Sequence, residues 1–511
     1  MDEGAAPLDA LVVGAGLSGL AAARRLRRDG ARVRVLDASD RVGGTLETAN
    51  VNGFRFELGP NTVQDRPPLR ALLDDAGAAD RLRAVPADVG RRRYLARGAG
   101  IVALPSSPPA VLRATTRRSP RARPVIGPRM LLRALLGDLF RGRGPAPIGR
   151  PVTAGRFARH RFGDVAADRL LGTLLTGIYA GDVDELDLRL ALPRLAPLVD
   201  GPTPSLLING IRARRAARRA GRVAPQPALL GFEDGFAALA AALADDLDVR
   251  FGQRVRAIRW QGDSGFAVDV EGRPDSDEPS VVHARRLVLA LPLDAARALL
   301  RAERFAADAL DDGACGVDPL AALDAIPHAP VAVVGLGFPR RAVAHPLDGF
   351  GFLVPPDLVD RPDGTRWDRR PLLGALFVSS LVPDAAPSGA VALTVMLGGR
   401  RRPELAARDD AALIDHAVAS LRVRLGIVGA PIAAVVRRWQ PGIPQPVAAV
   451  HAARAVAARL ETARPGLIVL GNWLHGVGVP DCARAGWTLG GRLDDEPSPS
   501  AHPAGSSGRN R

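Results

Sequence analysis

The spacing of apolar positions predicts a chain that alternates between buried strands and amphipathic helices. Ala10 to Val13 is a short, wholly apolar run, as in a strand buried on both faces. Leu20, Ala23 and Leu26 then recur at helical spacing, with Arg24, Arg25, Arg27 and Arg28 on the other face. Gly30 ends that helix, since a residue without Cβ readily takes the left-handed conformation past the last turn. Val33, Val35 and Leu36 form a second strand, with Asp37 at its end. Phe54, Phe56 and Leu58 alternate after an Asn52-Gly53 turn signal, which predicts a hairpin over residues 50–60. A short helix is expected over 69–77 and a second hairpin over 91–105, through Gly98 and Gly100. Residues 153–193 read as helical, interrupted at 176–182, and 232–247 as an Ala- and Leu-rich helix. Strand patterns follow at 249–251, 255–260, 266–270 and 287–292, with a polar turn at 273–280. Further strands are expected at 331–336, 351–354, 374–378, 391–396 and 467–470, and a helix at 405–425.

Between these blocks the pattern changes. From residue 106 the chain is rich in Pro, Arg and Leu. Residues 128–143 place Leu131, Leu132, Leu135, Leu136, Leu139 and Phe140 on one helical stripe, with Arg129, Arg133, Arg141 and Arg143 around it. Such a basic amphipathic helix either lies in a membrane interface or packs its stripe on a core. The Arg-rich run at 212–222 reads as a solvated helix face, with anion binding as the lesser option. Residues 494–511 are polar and Pro/Ser-rich and are expected to be disordered.

The predicted fold is α/β: a discontinuous Rossmann-like dinucleotide-binding domain with an interleaved α+β substrate domain and a helical insertion. The expected boundaries are 1–65, 231–295 and 441–493 for the first domain, 66–105 and 296–440 for the second, and 106–230 for the insertion. A chain of 511 residues exceeds one ordinary core, which agrees with this division.

Composition narrows the classes of function. No run of 18 uncharged apolar residues occurs, so no transmembrane helix is expected. The first strand begins within ten residues of Met1, leaving no room for a signal peptide. Cys315 and Cys482, far apart, exclude a disulfide scaffold and suit a reducing compartment. The expected location is the cytoplasm, with peripheral contact to the cytoplasmic membrane where the basic helix lies. The net charge is +15, carried by Arg with no Lys. That usage, with abundant Ala, reads as a nucleotide-composition bias of the source genome. Aromatic content of 4% is too low for base-stacking platforms, so no nucleic-acid partner is expected. No metal-ligand spacing and no Ser/His/Asp constellation occurs. A homodimer is one option for the assembly.

Candidate chemistry concentrates near the N-terminus. Gly14, Gly16 and Gly19 form G-x-G-x-x-G between a strand and a helix. Gly14 permits the tight turn, Gly16 lets the backbone approach a pyrophosphate, and Gly19 lets the helix pack close. Asp37 stands where an acid accepts hydrogen bonds from a ribose. The alternative is a glycine-rich turn without a ligand. The motif continues through Arg41, Gly43 and Gly44, which NAD does not require. This extension resembles that of flavin-dependent amine oxidases and their relatives, which favours FAD.

Further stretches are similar to the porphyrinogen oxidases within that superfamily. The most telling is residues 471–482, GNWLHGVGVPDC; others are Gly59-Pro60-Asn61-Thr62, the run from Arg93, TGIYAGD from Thr176, GFGFLVPP from Gly349, LLGALFVSS from Leu372, and Pro444-Gln445 with His451. Two departures are Pro446, where the family often has Tyr, and Asp234-Gly235, where it often has Gly-Gly. The resemblance implies FAD contacts from Gly14, Gly16, Leu17, Ser18, Gly19, Asp37, Ala38, Arg41, Gly43, Gly44, Thr45, Gly59, Pro60, Asn61, Thr62, Val255, Trp439, Gly471, Asn472, Gly478, Val479 and Asp481. It implies substrate contacts from Asn61, Gly177, Ala180, Leu353 and Phe377, with Arg93 pairing a substrate carboxylate. Leu353 and Phe377 have an ordinary core role as their alternative. The implied reaction transfers a hydride from a bridge carbon of the macrocycle to FAD, with loss of a pyrrole proton. O2 is the acceptor and H2O2 the product, in haem synthesis. Preference between protoporphyrinogen and coproporphyrinogen stays open; extra cations would favour the latter, and Arg91, Arg92 and Arg97 are available. Competing readings are an amine oxidase, a carotenoid desaturase, or an inactive flavin-binding protein at a membrane surface. His475 is read as a spacer or hydrogen-bonding residue and Cys482 as a small hydrophobe.

Overall fold

A computed structural model describes residues 7–104, 128–140, 142, 144, 150–221, 228–271, 280–302, 305, 310, 318, 320–356 and 371–491. Most of the polar turn at 273–280, most of the Pro-rich stretch after 106, Arg141, Arg143, Cys315 and the tail lie outside the described residues.

The first sheet is sewn from three parts of the chain. Its parallel strands lie in the order Asp248–Arg250, Val33–Leu36, Leu8–Val13, Ser280–Ala290, Leu467–Leu470. The antiparallel strands Phe266–Val270 and Val255–Trp260 extend it from the N-terminal half of Ser280–Ala290. Ala10 and Val12 face one core, Leu11 and Val13 the other. Burial on both faces is why this strand carries no polar alternation. Strand order reverses between Leu8–Val13 and Ser280–Ala290, and a ligand crevice opens at the carboxyl ends of the strands at such a point.

The second sheet has seven strands, in the order Ala433–Pro444, His328–Pro339, Ala390–Gly398, Gly374–Leu376, Gly351–Leu353, Tyr94–Arg97, Gly100–Ala103. Ala332, Val334, Leu336 and Phe338 share a core with Leu413, Ala417 and Leu421 of helix Asp410–Leu425. The opposite face meets the first domain. There Gly335 and Gly337 admit the rings of Phe56 and Phe54; a Cβ at either glycine would stand 2.7 Å from ring carbons. Those phenylalanines belong to the hairpin Thr48–Val51 and Phe54–Glu57, turned through Asn52 and Gly53 at positive φ, as expected for Asn-Gly.

Several element boundaries differ from the sequence pattern. Residues 87–91 are a short helix, so the second hairpin starts only at Tyr94. The 232–247 helix is confined to Phe236–Ala244, because Leu229–Phe232 pairs as a strand. The break within 176–182 falls at Ala180, which takes φ +51° at the end of helix Thr173–Tyr179. Helix 405–425 splits at Asp409, whose carboxylate caps Asp410–Leu425 through the Ala412 N–H. Asp234 sits at φ +60° before Gly235 at +90°, so the departure from Gly-Gly uses one of the few residue types that tolerate the left-handed region.

The helical insertion has a small core of Val152, Phe157, Leu175, Leu186 and Leu188. Helix Pro128–Phe140 turns its leucine stripe away from that core. Leu132, Leu135, Leu136 and Leu139 are 39–57% exposed and Phe140 77%. Gly137 and Asp138 face inward instead: a Cβ on Gly137 would stand 1.7 Å from the Arg161 carbonyl oxygen. These five residues of the stripe are thus open to solvent and not packed on that core. The Arg run lies on helix Leu206–Arg219 with Arg212, Arg214, Arg215, Arg218 and Arg219 exposed, as expected of a solvated face.

Candidate cofactor crevice and active site

The Gly-rich turn sits at the reversal point of the first sheet. Gly14 has φ +106°, and a Cβ there would meet the Ala290 carbonyl oxygen at 2.4 Å. Gly19 packs its helix on the strand so closely that a Cβ would lie 1.9 Å from the Gly14 oxygen. Gly16 is different: nothing lies within 4 Å of a Cβ built on it. It caps helix Leu17–Arg28 and bridges to Gly43, whose N–H donates to the Ala15 oxygen at 2.8 Å. Gly43 and Gly44 both have positive φ, and a Cβ on Gly44 would stand 3.4 Å from Gly16 Cα. Two glycine pairs thus form one bare backbone cradle.

Asp37 closes one side. Its carboxylate accepts from the Ala15 N–H at 2.6 Å and from the Ser39 N–H and hydroxyl at 2.8 and 2.6 Å. Ala38 is exposed beside it, and the Gln253 N–H donates to the Asp37 carbonyl, which brings the start of Val255–Trp260 alongside. Val255 itself is buried in the sheet core opposite Val270. Arg41 is turned onto its own loop: it donates to the carbonyls of Val42, Gly44 and Leu46 and pairs with Glu47.

The C-terminal motif closes the other side. Helix Val479–Trp487 packs on Leu17–Arg28 at Gly486, where a Cβ would lie 2.2 Å from the Ser18 carbonyl oxygen. The contact joins the last turn of the C-terminal helix to the first turn of Leu17–Arg28, whose N-terminal N–H groups stay unpaired at the cradle. Gly471 ends the last strand, and Asn472 opens a helical turn to His475. Burial pushes Asp481 above the usual carboxylate range; it accepts from the Gly478 N–H. Burial also pushes His475 down to about 4, so it is neutral near pH 7 and a weak base. The Cys482 thiol is pushed up to about 12, again by burial, as suits a packing residue. The Gly59–Thr62 loop rests on Thr45: a Cβ on Gly59 would stand 1.9 Å from the Thr45 oxygen. The Trp439 indole N–H donates to the Leu58 oxygen at 2.7 Å, tying the second sheet to this loop.

Cradle, acid and helix N-terminus fit a long dinucleotide held through its pyrophosphate. They define the nucleotide half of a flavoprotein. The chain belongs to the flavin containing amine oxidoreductase family, which it matches over residues 17–489, and it is an FAD-dependent oxidase. It is 28% identical over 506 residues to the chloroplastic protoporphyrinogen oxidase of Nicotiana tabacum, spanning 95% of this chain and 85% of that one. It is 30% identical over 499 residues to the coproporphyrinogen III oxidase of Propionibacterium freudenreichii subsp. freudenreichii, spanning 92% and 88%. A provisionally assigned protoporphyrinogen oxidase structure from Exiguobacterium sp. 255-15 superposes with a TM-score of 0.72 at 21% identity, covering 95% of this chain and 98% of that one. A reduced UDP-galactopyranose mutase shares the fold at a TM-score of 0.65 and 16% identity, covering 94% of each chain.

The residues expected at the substrate divide into two groups. Leu353 pairs in register with Leu95, and Gly177 of the helical insertion lies against it; a Cβ on Gly177 would be 2.7 Å from the Leu353 side chain. Arg93 stands one residue before strand Tyr94–Arg97, two before Leu95, with its guanidinium 4.7 Å from the Phe350 ring centroid. Ala180 lines a cavity with Thr176, Val354, Leu372 and Leu405. Phe377 does not join them. It is fully buried on the opposite side, against Tyr94, His345 and Phe352, and is a core residue. Arg92 is neutralised by Asp348 and so is not a spare cation. Among the described residues no group of His, Cys, Asp and Glu could hold a metal ion.

Sequence reasoning missed Glu57. It lies beside Asn61 in a pocket with Phe232, Phe236 and Val378. Its carboxylate accepts from the Thr48 hydroxyl at 2.9 Å and the Phe236 N–H at 3.2 Å, capping helix Phe236–Ala244. Burial pushes it up to about 7, against the pull of those hydrogen bonds. The folded protein therefore holds this proton to a higher pH than the unfolded chain. Its stabilisation is complete below the unfolded value of 4.5 and is lost as pH rises through about 7. Glu57→Gln, uncharged throughout, is expected to match the parent near pH 4.5 and to exceed it at pH 8 by up to ~3 kcal/mol. Thermal unfolding of the holoprotein across that range checks this; a pH-independent difference would remove Glu57 as the titrating group.

Proposed function

We propose that this enzyme dehydrogenates a porphyrinogen to the porphyrin of haem synthesis, with O2 as acceptor and H2O2 as product. The observation that carries the reading is the pairing of the cofactor crevice with the apolar contact of Leu353 and Gly177 and with Arg93, in a chain whose relatives are named porphyrinogen oxidases. Bound FAD supplies the two-electron acceptor for each dehydrogenation. The chain's own part is orientation and exclusion. Leu353 and the small Gly177 leave a thin apolar surface for a macrocycle, and Arg93 offers a planar guanidinium to a propionate. No side chain here is required as a strong base, which agrees with the low basicity of His475. The test is anaerobic mixing of the yellow holoprotein with protoporphyrinogen, coproporphyrinogen, amines and carotenoid precursors in turn. Bleaching of the flavin by a porphyrinogen, followed by porphyrin fluorescence in air, is expected; bleaching by an amine or carotenoid precursor alone would replace the reading.

We also place the enzyme at the cytoplasmic face of a membrane. Among the described residues no helix is long and apolar enough to cross one. The exposed stripe on Pro128–Phe140, together with exposed Leu207, Ile208 and Ile211 beside the Arg run, supports a helix lying in the interface. The Leu135→Asp, Leu136→Asp double variant is expected to lower co-sedimentation with anionic vesicles roughly tenfold or more, with flavin content unchanged. Equal sedimentation of parent and variant would detach this face from the bilayer.

A further inference from the structure

Two arginines outside the expected site converge where the dinucleotide domain meets the helical insertion. Arg66 caps helix Pro67–Asp75; Arg194 lies between helices Leu188–Ala191 and Ala196–Val199. Both donate to the same neutral acceptor, the Gln64 side-chain oxygen, at 2.9 and 3.4 Å. Among the described residues neither forms an ion pair, and the Arg66 Nε is buried with no hydrogen-bond partner there. The neighbouring acid, Asp65, is taken by Arg70 in a two-pronged pair at 2.8 Å. Asp481 feels both charges, yet its carboxylate accepts from the Gly478 N–H in its own helix's first turn. Two guanidinium groups sharing one amide oxygen repel each other, and an anion between them would remove that cost. Gln64 ends the strand Val63–Gln64 that follows the Gly59–Thr62 loop, and both charges act on Asp481 in the first turn of the C-terminal helix, so the pair stands beside the C-terminal motif.

We propose that Arg66 and Arg194 bind a second carboxylate of the substrate and so select a tetracarboxylate porphyrinogen over a dicarboxylate one. The inference rests on the porphyrinogen reading above. In protoporphyrinogen the propionates sit next to each other on one edge of the macrocycle, where a single cation site such as Arg93 serves both. In coproporphyrinogen III they also occupy the other edge. Arg93 precedes strand Tyr94–Arg97 of the second sheet, whereas Arg66 opens helix Pro67–Asp75 and Arg194 lies in the insertion; on this proposal the two cation sites address different edges.

The test compares the FAD-loaded parent with the Arg66→Met, Arg194→Met double variant on both porphyrinogens, by porphyrin fluorescence. The parent is expected to favour coproporphyrinogen III. The variant is expected to lose at least tenfold in the ratio of kcat/KM for coproporphyrinogen to that for protoporphyrinogen, mainly through KM. Arg66→Lys, Arg194→Lys should recover part of the ratio. Arg70→Met, which removes only the outer pair with Asp65, should leave the ratio where it is. An unchanged ratio in the Met variant overturns the proposal. So does loss of FAD affinity without a change in the ratio, which would assign the pair to the cofactor phosphates. A parent that turns over neither porphyrinogen would defeat the functional reading instead.

Discussion

Gly16→Val is expected to give a folded, colourless protein. Gly16 has φ −70° and ψ 173°, which any residue adopts, and a Cβ built there meets no protein atom within 4 Å. The variant therefore folds. What the side chain occupies is the bare cradle over the N-terminus of helix Leu17–Arg28, where a pyrophosphate must touch backbone. FAD binding should be lost, and with it at least about a hundredfold in activity. Gly19→Val makes the contrast. Its side chain would drive into the Gly14 carbonyl at 1.9 Å, so the helix separates from the strand and the whole sheet suffers. Visible spectra and thermal unfolding separate the cases: Gly16→Val retains a cooperative transition without a flavin band, whereas Gly19→Val loses both. A yellow Gly16→Val protein would move the cofactor away from this turn.

The same contrast explains which parts of the site were legible from sequence. Where backbone must approach backbone or a phosphate, only glycine fits, so Gly14, Gly16, Gly19, Gly43, Gly44 and Gly59 carried the message directly. Where a residue's task depends on which face of a sheet it takes, the letters are silent. Leu353 stands on strand Gly351–Leu353 and Phe377 just past strand Gly374–Leu376, yet Phe377 points to the core of helix Asp410–Leu425 and Leu353 to Gly177. Strand Ala433–Pro444 left no readable pattern because it is an edge strand, half-exposed along most of its length and carrying Arg437, Arg438 and Gln440. The next helix, Ala449–Ala463, which packs on the first sheet, is mostly Ala, Arg and Val and shows little stripe. The roles of Glu57, Arg66 and Arg194 arise from contacts across domains, which no local spacing encodes.

Asp138→Ala is expected to destabilise the helical insertion by about 3–5 kcal/mol, the cost of leaving a buried charge without its partner. Asp138 and Arg161 are 7% and 2% exposed and pair at 2.8 Å. The carboxylate also accepts from the Ser205 hydroxyl and from the N–H groups of Leu206 and Leu207, capping helix Leu206–Arg219. Arg161 in turn donates to the carbonyls of Pro204 and Gly142 and stacks on Phe157. This polar hub joins helices Pro128–Phe140, Ala154–Phe162 and Leu206–Arg219, while the first and third turn apolar side chains outward. Charge and hydrogen bonds thus do for these helices what a leucine core does elsewhere. Burial by itself would raise the Asp138 carboxyl, but the hydrogen bonds from Ser205, Leu207, Leu206 and Arg161 outweigh it and hold it below the usual range. Its contribution is present above the unfolded pKa and is lost as pH falls through the folded one. The deficit of the variant should therefore be largest near neutral pH and shrink in acid. Replacing both partners, Asp138→Leu with Arg161→Met, should recover much of the loss, because no lone charge is left inside. Hydrogen exchange of residues 154–162 and 206–219 in the holoprotein reads the local stability directly. If Asp138→Ala exchanged there no faster than the parent, the hub would be incidental and the outward leucines would have to be held by something else.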